Sequence, residues 1–387
     1  GGRGVGSSVV IPTHNDARHL PACLAALESQ CRAAGAEVVV ADDASTDPTA
    51  DLVRARYPWV RYVRSSVNRG PGATRNLGWR AAAGEIVAFV DSDVTVAPGW
   101  LANGLRYFAG PEVGGVEGRV VVSGAERVTP FTHWTQNLER LGGFDERFYD
   151  PVGKVHFRED VELAFRVLDA GWRIPFAPDV LAYHPPLPGS ARRPLRLAQR
   201  YYFDPLLQRL HPRRFAQSVE RHELGPLVVR RPRHYLSFLN VASALAVGLS
   251  LAGGRHWLAL AALPGYLASL GLLVYAPARR SSRLGLSPRR WLATVLVFAG
   301  VPWTYVLSYL RGAWPFRRWP WPRKSRKASR SGERSACSWR QATRLWSPLT
   351  LRRSRVPRAG ASVSSTSPSR RSACSPWRRS SRSSPRP

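Results

Sequence analysis

The sequence predicts an α/β domain with a mixed, mainly parallel sheet, followed by C-terminal transmembrane helices and a disordered basic tail. From residue 7 to about residue 186, short β-branched runs alternate with longer stretches rich in Ala, Leu and Arg, as strands and helices do in such domains. Three strongly apolar stretches follow, and the chain ends in a segment rich in Arg, Ser and Pro. We therefore expect an α/β domain over residues 1–190, a basic connector over 191–234, a membrane region over 235–312 and the tail over 313–387.

The elements of the α/β domain follow from this alternation. Strands are expected at residues 8–11, 37–41, 60–64, 85–90 and 113–122, and helices at about 17–33, 48–56 and 72–83. The first, second and fourth of these strands each end in polar residues. Because the carboxyl ends of parallel strands lie at one edge of a sheet, where open α/β sheets bind ligands, these polar residues are candidates for a shared site.

Two carboxylates one residue apart, Asp91 and Asp93, follow the apolar run at residues 86–90. This arrangement suits Mg²⁺ or Mn²⁺, which binds a few carboxylates together with the phosphate oxygens of a substrate. A solvated turn between a strand and a helix would produce the same pattern. His184 follows a strand expected at residues 173–176 and is a candidate metal ligand, with a purely structural histidine as the alternative.

Two other polar segments are suited to a nucleotide. Asp43 ends the second strand and can accept hydrogen bonds from a base or a ribose, whereas Asp47, just before Pro48, is suited to capping the next helix. A glycine-bearing turn at residues 68–76 leads into the third helix and carries Arg75. Backbone N–H groups and a guanidinium in such a turn favour phosphate, although many Gly-rich turns bind nothing.

A second unit begins near residue 141, with a turn at 142–146 and a helix at 159–170. Glu159 and Asp160 open this helix, and its apolar residues recur at the spacing i, i+3, i+4, i+7. This spacing buries one face of the helix and leaves the two carboxylates in its first turn. They are candidates for a general base, and a favourable interaction with the helix dipole is the alternative.

The three apolar stretches cover residues 236–252, 257–275 and 291–310, and none contains a charged residue. Each is close to the roughly 20 residues that cross a bilayer. The short link at 253–256 makes the first two a hairpin, so the Arg-rich loop at 279–290 lies on the same side as the α/β domain, as expected for the cytoplasmic side. The third stretch either spans the bilayer, which would put the basic tail outside, or is re-entrant or interfacial.

The net charge of +31 is concentrated in the tail. Residues 311–387 hold 21 Lys or Arg against the single acid Glu333, which accounts for 20 of the 31 charges. A folded surface for nucleic acid is therefore not indicated, and the tail is expected to be disordered, with an arm for anionic lipid or nucleic acid as the alternative. The four cysteines lack metal-ligand or disulfide spacing, which indicates a reducing compartment.

Six segments, taken in order, resemble the motifs of family 2 glycosyltransferases with the GT-A fold. They are Val9-Val10-Ile11-Pro12-Thr13-His14-Asn15, Ala41-Asp42-Asp43-Ala44-Ser45-Thr46-Asp47, Gly72-Ala73-Thr74-Arg75-Asn76-Leu77-Gly78, Phe89-Val90-Asp91-Ser92-Asp93, Gly142-Gly143-Phe144-Asp145-Glu146 and Glu159-Asp160. The resemblance covers about residues 7–186 and rests on the order and spacing of all six segments. High Arg, Ala and Gly usage fits a GC-rich bacterial source, and the apolar stretches fit a membrane-anchored member of the family.

The resemblance implies roles for the matching residues. Those that would bind the donor are Pro12, Thr13 and Asn15 in the nucleotide pocket, Asp43 at the base, Arg75 near the diphosphate or base, and Asp91 at the ribose and metal. Asp93 would ligate the metal directly, together with His184. Asp160 matches the family's catalytic base, and the residues that would support it or the acceptor are Glu159, Gly143, Phe144 and Asp145.

The implied reaction is an inverting transfer, dependent on Mg²⁺ or Mn²⁺, from a UDP- or GDP-sugar to a hydroxyl of a lipid-linked or cell-envelope acceptor. The apolar stretches and the Arg-rich loop predict that the chain lies in the inner membrane with its catalytic domain in the cytoplasm, and no specific nucleic-acid partner is expected. One alternative is a catalytically inactive membrane scaffold, favoured only by the shortened segment Leu138-Glu139-Arg140. The other is a sugar nucleotidyltransferase, which would need a Gly-rich phosphate loop directly after the first strand, where Pro12-Thr13-His14-Asn15 stands.

Overall fold

The computed structural model describes residues 6–122, 125–129, 133–185, 190, 192–219, 221–224, 227–283 and 287–317, so the expected tail lies outside the described residues from residue 318 onward. The strands are β1 (Ser7–Thr13), β2 (Glu37–Asp42), β3 (Arg61–Arg64), β4 (Ile86–Phe89), β5 (Thr95–Val96), β6 (Gly115–Val122), β7 (Ala125–Thr129), β8 (His133–Gln136), β9 (Tyr149–Asp150), β10 (Val155–His156), β11 (Phe176–His184), β12 (Arg221–Leu224) and β13 (Leu227–Arg230). The helices are α1 (Leu20–Ala34), α2 (Thr49–Arg56), α3 (Gly70–Ala81), α4 (Trp100–Arg106), α5 (Leu138–Leu141), α6 (Glu159–Asp169), α7 (Arg193–Gln199), α8 (Asp204–Leu210), α9 (Pro212–Ser218), α10 (Pro232–Ala252), α11 (His256–Arg283) and α12 (Pro288–Phe316).

A nine-stranded mixed sheet organises the α/β domain, which confirms the predicted fold class. Its strand order is β3-β2-β1-β4-β8-β6-β11-β5, and β7 pairs with β6. Strands β3, β2, β1 and β4 are parallel, whereas β8 is antiparallel to both of its neighbours. The carboxyl ends of β1, β2 and β4 therefore lie at one edge, as the polar strand ends predict.

Both faces of the sheet are buried, which explains why its parallel strands are continuously apolar. Successive residues of β1 point to opposite faces: Val9 and Ile11 pack with Leu24 of α1, whereas Val10 packs with Phe89 on the other side. Each fully buried side chain of this size contributes roughly 1.5–3 kcal/mol. The two layers of packing hold the strand ends at a fixed edge, next to the polar residues.

Helix α3 approaches the sheet closely at Gly78. A Cβ at this position would lie 2.3 Å from Val10 Cγ1 and 3.2 Å from Ala41 Cβ, so a larger residue would force the helix away. Arg75 lies one turn earlier on the same helix and reaches Asp91, just beyond β4. The close packing of α3 therefore positions a guanidinium at the edge where the parallel strands end.

The expected strand at residues 173–176 is wrong. The strand is β11, which begins at Phe176 and ends at His184, pairing in parallel with β6 and antiparallel with β5. Its register shifts between Ala177 and Leu181, where Pro178 interrupts the ladder and obscures the alternation in the sequence. His184 is therefore the last residue of a sheet strand, which gives its ring a fixed position.

The residues expected as a basic connector are folded onto the α/β domain. Phe203, next to α8, is fully buried in a cluster with Phe165 of α6. Asp204 is fully buried and accepts a hydrogen bond from Arg158 Nε at 3.1 Å, and its other oxygen lies 3.6 Å from Arg231 Nη2. Because Arg158 immediately precedes α6 and Arg231 immediately precedes α10, this carboxylate attaches the first turn of α6 to the start of the apolar helices.

Helix α10, residues 256–275 of α11, and α12 are long and apolar enough to cross a membrane. Helix α12 has two different faces. Leu296, Leu307 and Trp314 are more than half exposed, whereas Tyr305 and Val306 are buried together with Ala198 of α7. One face of α12 is thus free to contact lipid, and the other packs against helices that are attached to the α/β domain.

Candidate active site

The loop after β1 is tied to the loop after β2. Asn15 has a φ of 53°, and its Oδ1 accepts hydrogen bonds from Thr46 N at 2.6 Å and Asp47 N at 3.2 Å. An asparagine tolerates this left-handed conformation better than most residues do. Thr13, at the end of β1, keeps a buried hydroxyl that has no hydrogen-bond partner within the described part of the chain. A buried hydroxyl of this kind is suited to a bound ligand.

Asp43 is buried beyond β2, and both of its carboxylate oxygens accept backbone hydrogen bonds. Arg69 N donates to Oδ1 and Gly70 N donates to Oδ2, each at 2.8 Å. Gly70 is the first residue of α3 and has a φ of 83°, a conformation that glycine adopts without strain. Asp43 therefore fixes the start of α3, and each oxygen retains a lone pair for a further donor.

Arg75 joins two acidic segments that are far apart in sequence. Its Nη2 donates to Asp91 Oδ1 at 2.9 Å, and its Nη1 donates to Glu159 Oε1 at 3.2 Å. Burial lowers the pKa of this guanidinium, but the charges of Asp91, Glu159 and Asp160 outweigh burial and raise the pKa overall. The carboxyl end of β4 and the first turn of α6 are thus held on either side of one cation.

Asp93 lies in a region of excess negative charge. Burial is the largest cause that raises its pKa, the charges of Asp91 and Asp16 raise it further, and His184 acts in the opposite direction. Asp16 is held nearby, because Ser92 Oγ donates to its Oδ2 at 2.6 Å. Its surroundings therefore disfavour the ionised form of Asp93, and a nearby cation would offset this cost.

The donor set around Asp93 fits a divalent metal ion. His184 Nδ1 lies 2.7 Å from the carbonyl oxygen of Pro185, which can only accept, so Nδ1 carries a proton and Nε2 is the ring nitrogen that can bind a metal. This Nε2 lies 3.3 Å from Asp93 Oδ2. Two acceptors so close require a proton or a metal ion between them, and a carbonyl that fixes the other ring nitrogen is the usual support of a metal-binding histidine.

Within the described residues, no group of three or more His, Cys, Asp or Glu side chains forms a complete metal site, so a metal held here would need ligands from elsewhere, such as phosphate.

Glu159 and Asp160 have different environments although they are adjacent. Glu159 is almost fully buried and lies 3.6 Å from His156 Nδ1 in addition to its contact with Arg75. Asp160 is half-buried, and its Oδ1 accepts a hydrogen bond from Val161 N at 2.7 Å. Glu159 is therefore a structural partner of Arg75, whereas Asp160 lies at the more open side of the same turn.

The turn before α6 is locked to α3 by one asparagine. Phe144 N donates to Asn76 Oδ1 at 2.7 Å, and Asn76 Nδ2 donates to the Phe144 carbonyl at 2.9 Å. Gly143 has a φ of 73°, and a Cβ there would lie 2.5 Å from Asn76 Oδ1, so the turn requires glycine. Asp145 pairs with Arg147 and caps a short 3-10 turn. These residues therefore shape the wall of the site through backbone contacts.

A cavity of about 400 Å³ lies beneath this turn, beside Glu162, Arg166 and His211. Its charged groups are paired: Arg166 binds Glu162 at 2.7 Å, and His211 lies 3.3 Å from Glu162 and 3.1 Å from Asp169. The cavity is therefore lined by structural ion pairs, and the unbalanced acidic charge lies instead at the end of β4.

Four polar residues in or beside this site are absent from the sequence-based candidates. They are Asp16, Asn76, Arg200 and Asp204. Asp204 has a visible signal, since it is the one acid in the sequence between residues 180 and 219. Asn76 and Asp16 lie within or next to the segments that resemble family motifs, but their partners come from distant segments, which a single sequence does not reveal.

A mixed sheet whose parallel strand ends carry carboxylates, facing a second acidic pair across α3, defines a GT-A domain. The profile of the family described as glycosyl transferase family 2 matches residues 8–166. The glycosyltransferase AglE of Haloferax volcanii is 30% identical over 211 residues, which cover 47% of this chain and 67% of that protein. The chain belongs to family 2 of the glycosyltransferases.

Two further proteins are similar to parts of this chain. The pre-mycofactocin glycosyltransferase of Mycobacterium tuberculosis H37Rv is 30% identical over 211 residues, but the match spans only 42% of that protein and 46% of this chain. A mannosyltransferase from Pyrobaculum calidifontis, solved in complex with GDP-Man and Mn²⁺, is 24% identical with a TM-score of 0.47, covering 79% of this chain and 86% of that one.

Proposed function

We propose that this chain is an inverting glycosyltransferase that moves a sugar from a UDP- or GDP-sugar to a hydroxyl of a lipid-linked or cell-envelope acceptor, using Mg²⁺ or Mn²⁺ and Asp160 as the general base. The observation that carries the proposal is the pair of hydrogen bonds from Arg75 to Asp91 and Glu159. They hold the end of β4, which has the donor set for a metal and a diphosphate, close to the turn that contains Asp160.

The residues at the strand ends would bind the donor. Pro12, Thr13 and Asn15 line the loop after β1, and the partnerless hydroxyl of Thr13 supports a nucleotide contact there. Asp43 has lone pairs left for an N–H of the base. Asp91 lies between Arg75 and the β4 edge, where a ribose hydroxyl could donate to its second oxygen.

Asp93 and His184 would hold the metal next to the diphosphate. When bound, the metal offsets the negative charge that develops on the leaving nucleoside diphosphate. Asp93 contributes a carboxylate whose charge is otherwise unfavourable in this position. His184 contributes Nε2, and the Pro185 carbonyl keeps its ring in the required orientation.

Asp160 would take the proton of the acceptor hydroxyl. As the hydroxyl oxygen forms a bond to the anomeric carbon, the bond from that carbon to the diphosphate oxygen breaks, and the proton passes to the Asp160 carboxylate. The single displacement inverts the configuration of the sugar. Glu159, which forms an ion pair with Arg75, keeps the first turn of α6 in position. The preceding turn, at Gly143, Phe144 and Asp145, would form the wall of the site on the acceptor side.

The membrane helices would hold the enzyme at the inner membrane, with the catalytic domain in the cytoplasm. The Arg-rich segment at 279–290 supports this orientation, although it is not the expected loop throughout, because α11 ends only at Arg283 and α12 begins at Pro288. Helix α12 would be interfacial, since one face is exposed and apolar while Tyr305 and Val306 pack on α7. The tail then stays on the cytoplasmic side, so a thiol reagent that cannot cross membranes should label Cys337 and Cys374 in inverted vesicles and leave both unlabelled in intact cells.

The test uses the full chain in detergent with radiolabelled UDP- and GDP-sugars, with and without Mn²⁺. Asp160→Asn should lower transfer by about 10²–10⁴-fold and leave the affinity for the donor nearly unchanged, because it removes a proton acceptor and little volume. Asp169→Asn is the matched control, since Asp169 lies at the other end of α6 and should keep most of the activity. Loss of donor affinity in Asp160→Asn as large as that in Asp93→Ala would refute the role of Asp160.

The same assay separates the alternatives. A scaffold would turn over none of the donors, and a nucleotidyltransferase would release pyrophosphate from a nucleoside triphosphate and a sugar phosphate. Transfer or slow hydrolysis that depends on the metal supports the glycosyltransferase.

A further inference from the structure

Arg200 lies beside the turn that contains Asp160. Its guanidinium carbon lies 5.8 Å from the centre of the Phe157 ring, and Phe157 is three residues before Asp160. Burial lowers the pKa of Arg200 and Arg193 lowers it further, against the opposing charges of Glu159 and Asp160. A half-buried cation therefore lies next to the proposed base, and none of the described carboxylates is within ion-pair distance of it.

Arg193 is a second cation in the same place. It lies two helical turns before Arg200, on α7, and its charge is close enough to lower the pKa of Arg200. Within the part of the chain that the structure describes, neither guanidinium has an ion pair or a side-chain hydrogen bond. Neighbouring arginines differ, since Arg158 and Arg231 share the buried Asp204. Two like charges that repel each other are stabilised when an anion binds between them.

The segment that carries both arginines is fixed against the apolar helices. The Tyr201 and Tyr305 rings are 4.4 Å apart between centres, which joins the 3-10 turn Arg200–Phe203 to α12. A Cβ at Gly312 would lie 1.9 Å from the Tyr202 carbonyl oxygen, so α12 packs directly on this turn. The two arginines therefore lie where the proposed base meets the helix that we assign to the membrane surface.

We propose that Arg193 and Arg200 form a binding site for a phosphate-type group carried by the lipid acceptor, which holds the acceptor hydroxyl beside Asp160. This proposal rests on the proposed function. Arginine is suited to the task because its planar fork gives two parallel hydrogen bonds to phosphate oxygens. A membrane-surface position selects an anion attached to a lipid over one free in solution.

The proposal is tested by calorimetric titration of the full chain in detergent with a short-chain polyprenyl phosphate, the matching polyprenol, and inorganic phosphate. The lipid phosphate should bind at least about tenfold more tightly than the alcohol, because charge-assisted hydrogen bonds to phosphate are lost in the alcohol. The lipid phosphate should also bind more tightly than inorganic phosphate, since its polyprenyl chain would contact the apolar helices. Equal binding of the phosphate and the alcohol, or tighter binding of inorganic phosphate, would overturn the proposal.

Variants locate the site. Arg193→Gln and Arg200→Gln should each weaken binding of the lipid phosphate by about tenfold and leave binding of the alcohol unchanged. Arg196→Gln is the matched control, because Arg196 lies on the same helix and is exposed, and it should bind as the unsubstituted chain does. Arg200→Lys should restore part of the affinity, which a merely structural role for the side chain would not require. An equal loss in Arg196→Gln would mean that the effect is a general one of surface charge, against the proposal.

Donor hydrolysis without acceptor separates this proposal from the function on which it rests. The two Gln variants should hydrolyse the donor with the KM of the unsubstituted chain. A raised donor KM with unchanged binding of the lipid phosphate would assign the arginines to the donor diphosphate and overturn the acceptor site. Absence of donor turnover in the unsubstituted chain would refute the glycosyltransferase, whereas loss of phosphate selectivity alone would refute only the anion site.

Discussion

The carboxyl ends of β2 and β4 have the same kind of sequence and different electrostatics. Both strands are buried, and each is followed by an acid at the edge of the sheet. Asp43, after β2, accepts hydrogen bonds from two backbone N–H groups at 2.8 Å. Asp93, after β4, faces His184, and its pKa is raised by burial and by Asp91 and Asp16. Backbone donors satisfy the first carboxylate, whereas the surroundings of the second disfavour its charge, which a bound cation would offset.

The difference arises from the groups that surround each strand end. The turn at Gly70 presents two adjacent N–H groups to Asp43, and the partial positive charge of a helix N-terminus adds to them. The turn after β4 presents further acids to Asp93. Asp43 thus contributes to folding in addition to its proposed contact with the base, and Asp93 is suited to binding a cation, although the sequence marks both in the same way.

In the comparison of the two strand ends, the largest effect is expected from Asp93→Asn. Transfer should fall by about 10²–10³-fold, because a metal ligand that offsets the charge of the leaving group is worth several kcal/mol. The free energy of unfolding without metal should not fall, because the ionised carboxylate is unfavourable where its pKa is raised. Activity assays over a range of Mn²⁺ concentrations and thermal unfolding measure the two quantities. A marked loss of stability without metal would show that Asp93 is satisfied like Asp43.

Substitution of Arg75 tests the link between the β4 edge and α6. Arg75→Gln should lower the stability by about 3 kcal/mol, because it leaves the buried Glu159 carboxylate without its cation. It should also lower transfer, since Asp91 and the turn of Asp160 lose their common partner. Arg75→Lys should recover part of the stability and less of the activity, because lysine has no planar fork to bridge two carboxylates. Chemical unfolding and kinetics of the two variants provide the measurement. Equal recovery of both quantities would mean that charge alone, and not the bridging geometry, is required.

Asp43→Asn repeats the substitution of Asp93 at the other strand end. The asparagine would direct an N–H₂ group at a backbone N–H, so one buried donor loses its partner and stability should fall by about 2 kcal/mol. The midpoint of chemical unfolding, compared with that of Asp93→Asn, measures the difference. Equal stability of the two variants would remove the distinction between the two strand ends.

The sequence predicts where the site lies better than what each residue does there. The alternation of buried strands with helices and the polar strand ends identify the sheet, its edge and most of the acids. The extent of β11 is not predicted because Pro178 breaks the alternation, and residues 191–234 have the composition of a linker because their Arg and Pro content hides the buried Phe203 and Asp204. The partners of Asp43, Asp93 and Arg200 depend on contacts between distant segments, and a single sequence does not contain them.

The smallest effect is expected for a carboxylate whose partners are side chains and not backbone N–H groups. Asp169, at the end of α6, lies 3.1 Å from His211 Nδ1 and also pairs with Arg214. Burial disfavours the charged form of both His211 and Asp169, but the hydrogen bonds and opposite charges of their partners outweigh burial. The pKa of His211 is therefore raised above 6.5, and that of Asp169 is lowered below 3.8. The stabilisation by His211 is therefore complete below pH 6.5 and is lost as the pH rises through the raised pKa. The contribution of Asp169 is present above pH 3.8 and is lost as the pH falls through its lowered pKa.

His211→Asn should accordingly cost about 1 kcal/mol or less between these limits, because Asp169 is half exposed and solvent screens the pair. The cost should shrink as the pH rises above the raised pKa of His211, where the unsubstituted chain also lacks the charge. Thermal unfolding of both chains from about pH 4 to about pH 9 measures the difference. A cost that does not change with pH would mean that packing of the imidazole against Phe165, 5.5 Å away between ring centres, and not its charge, attaches α9 to α6.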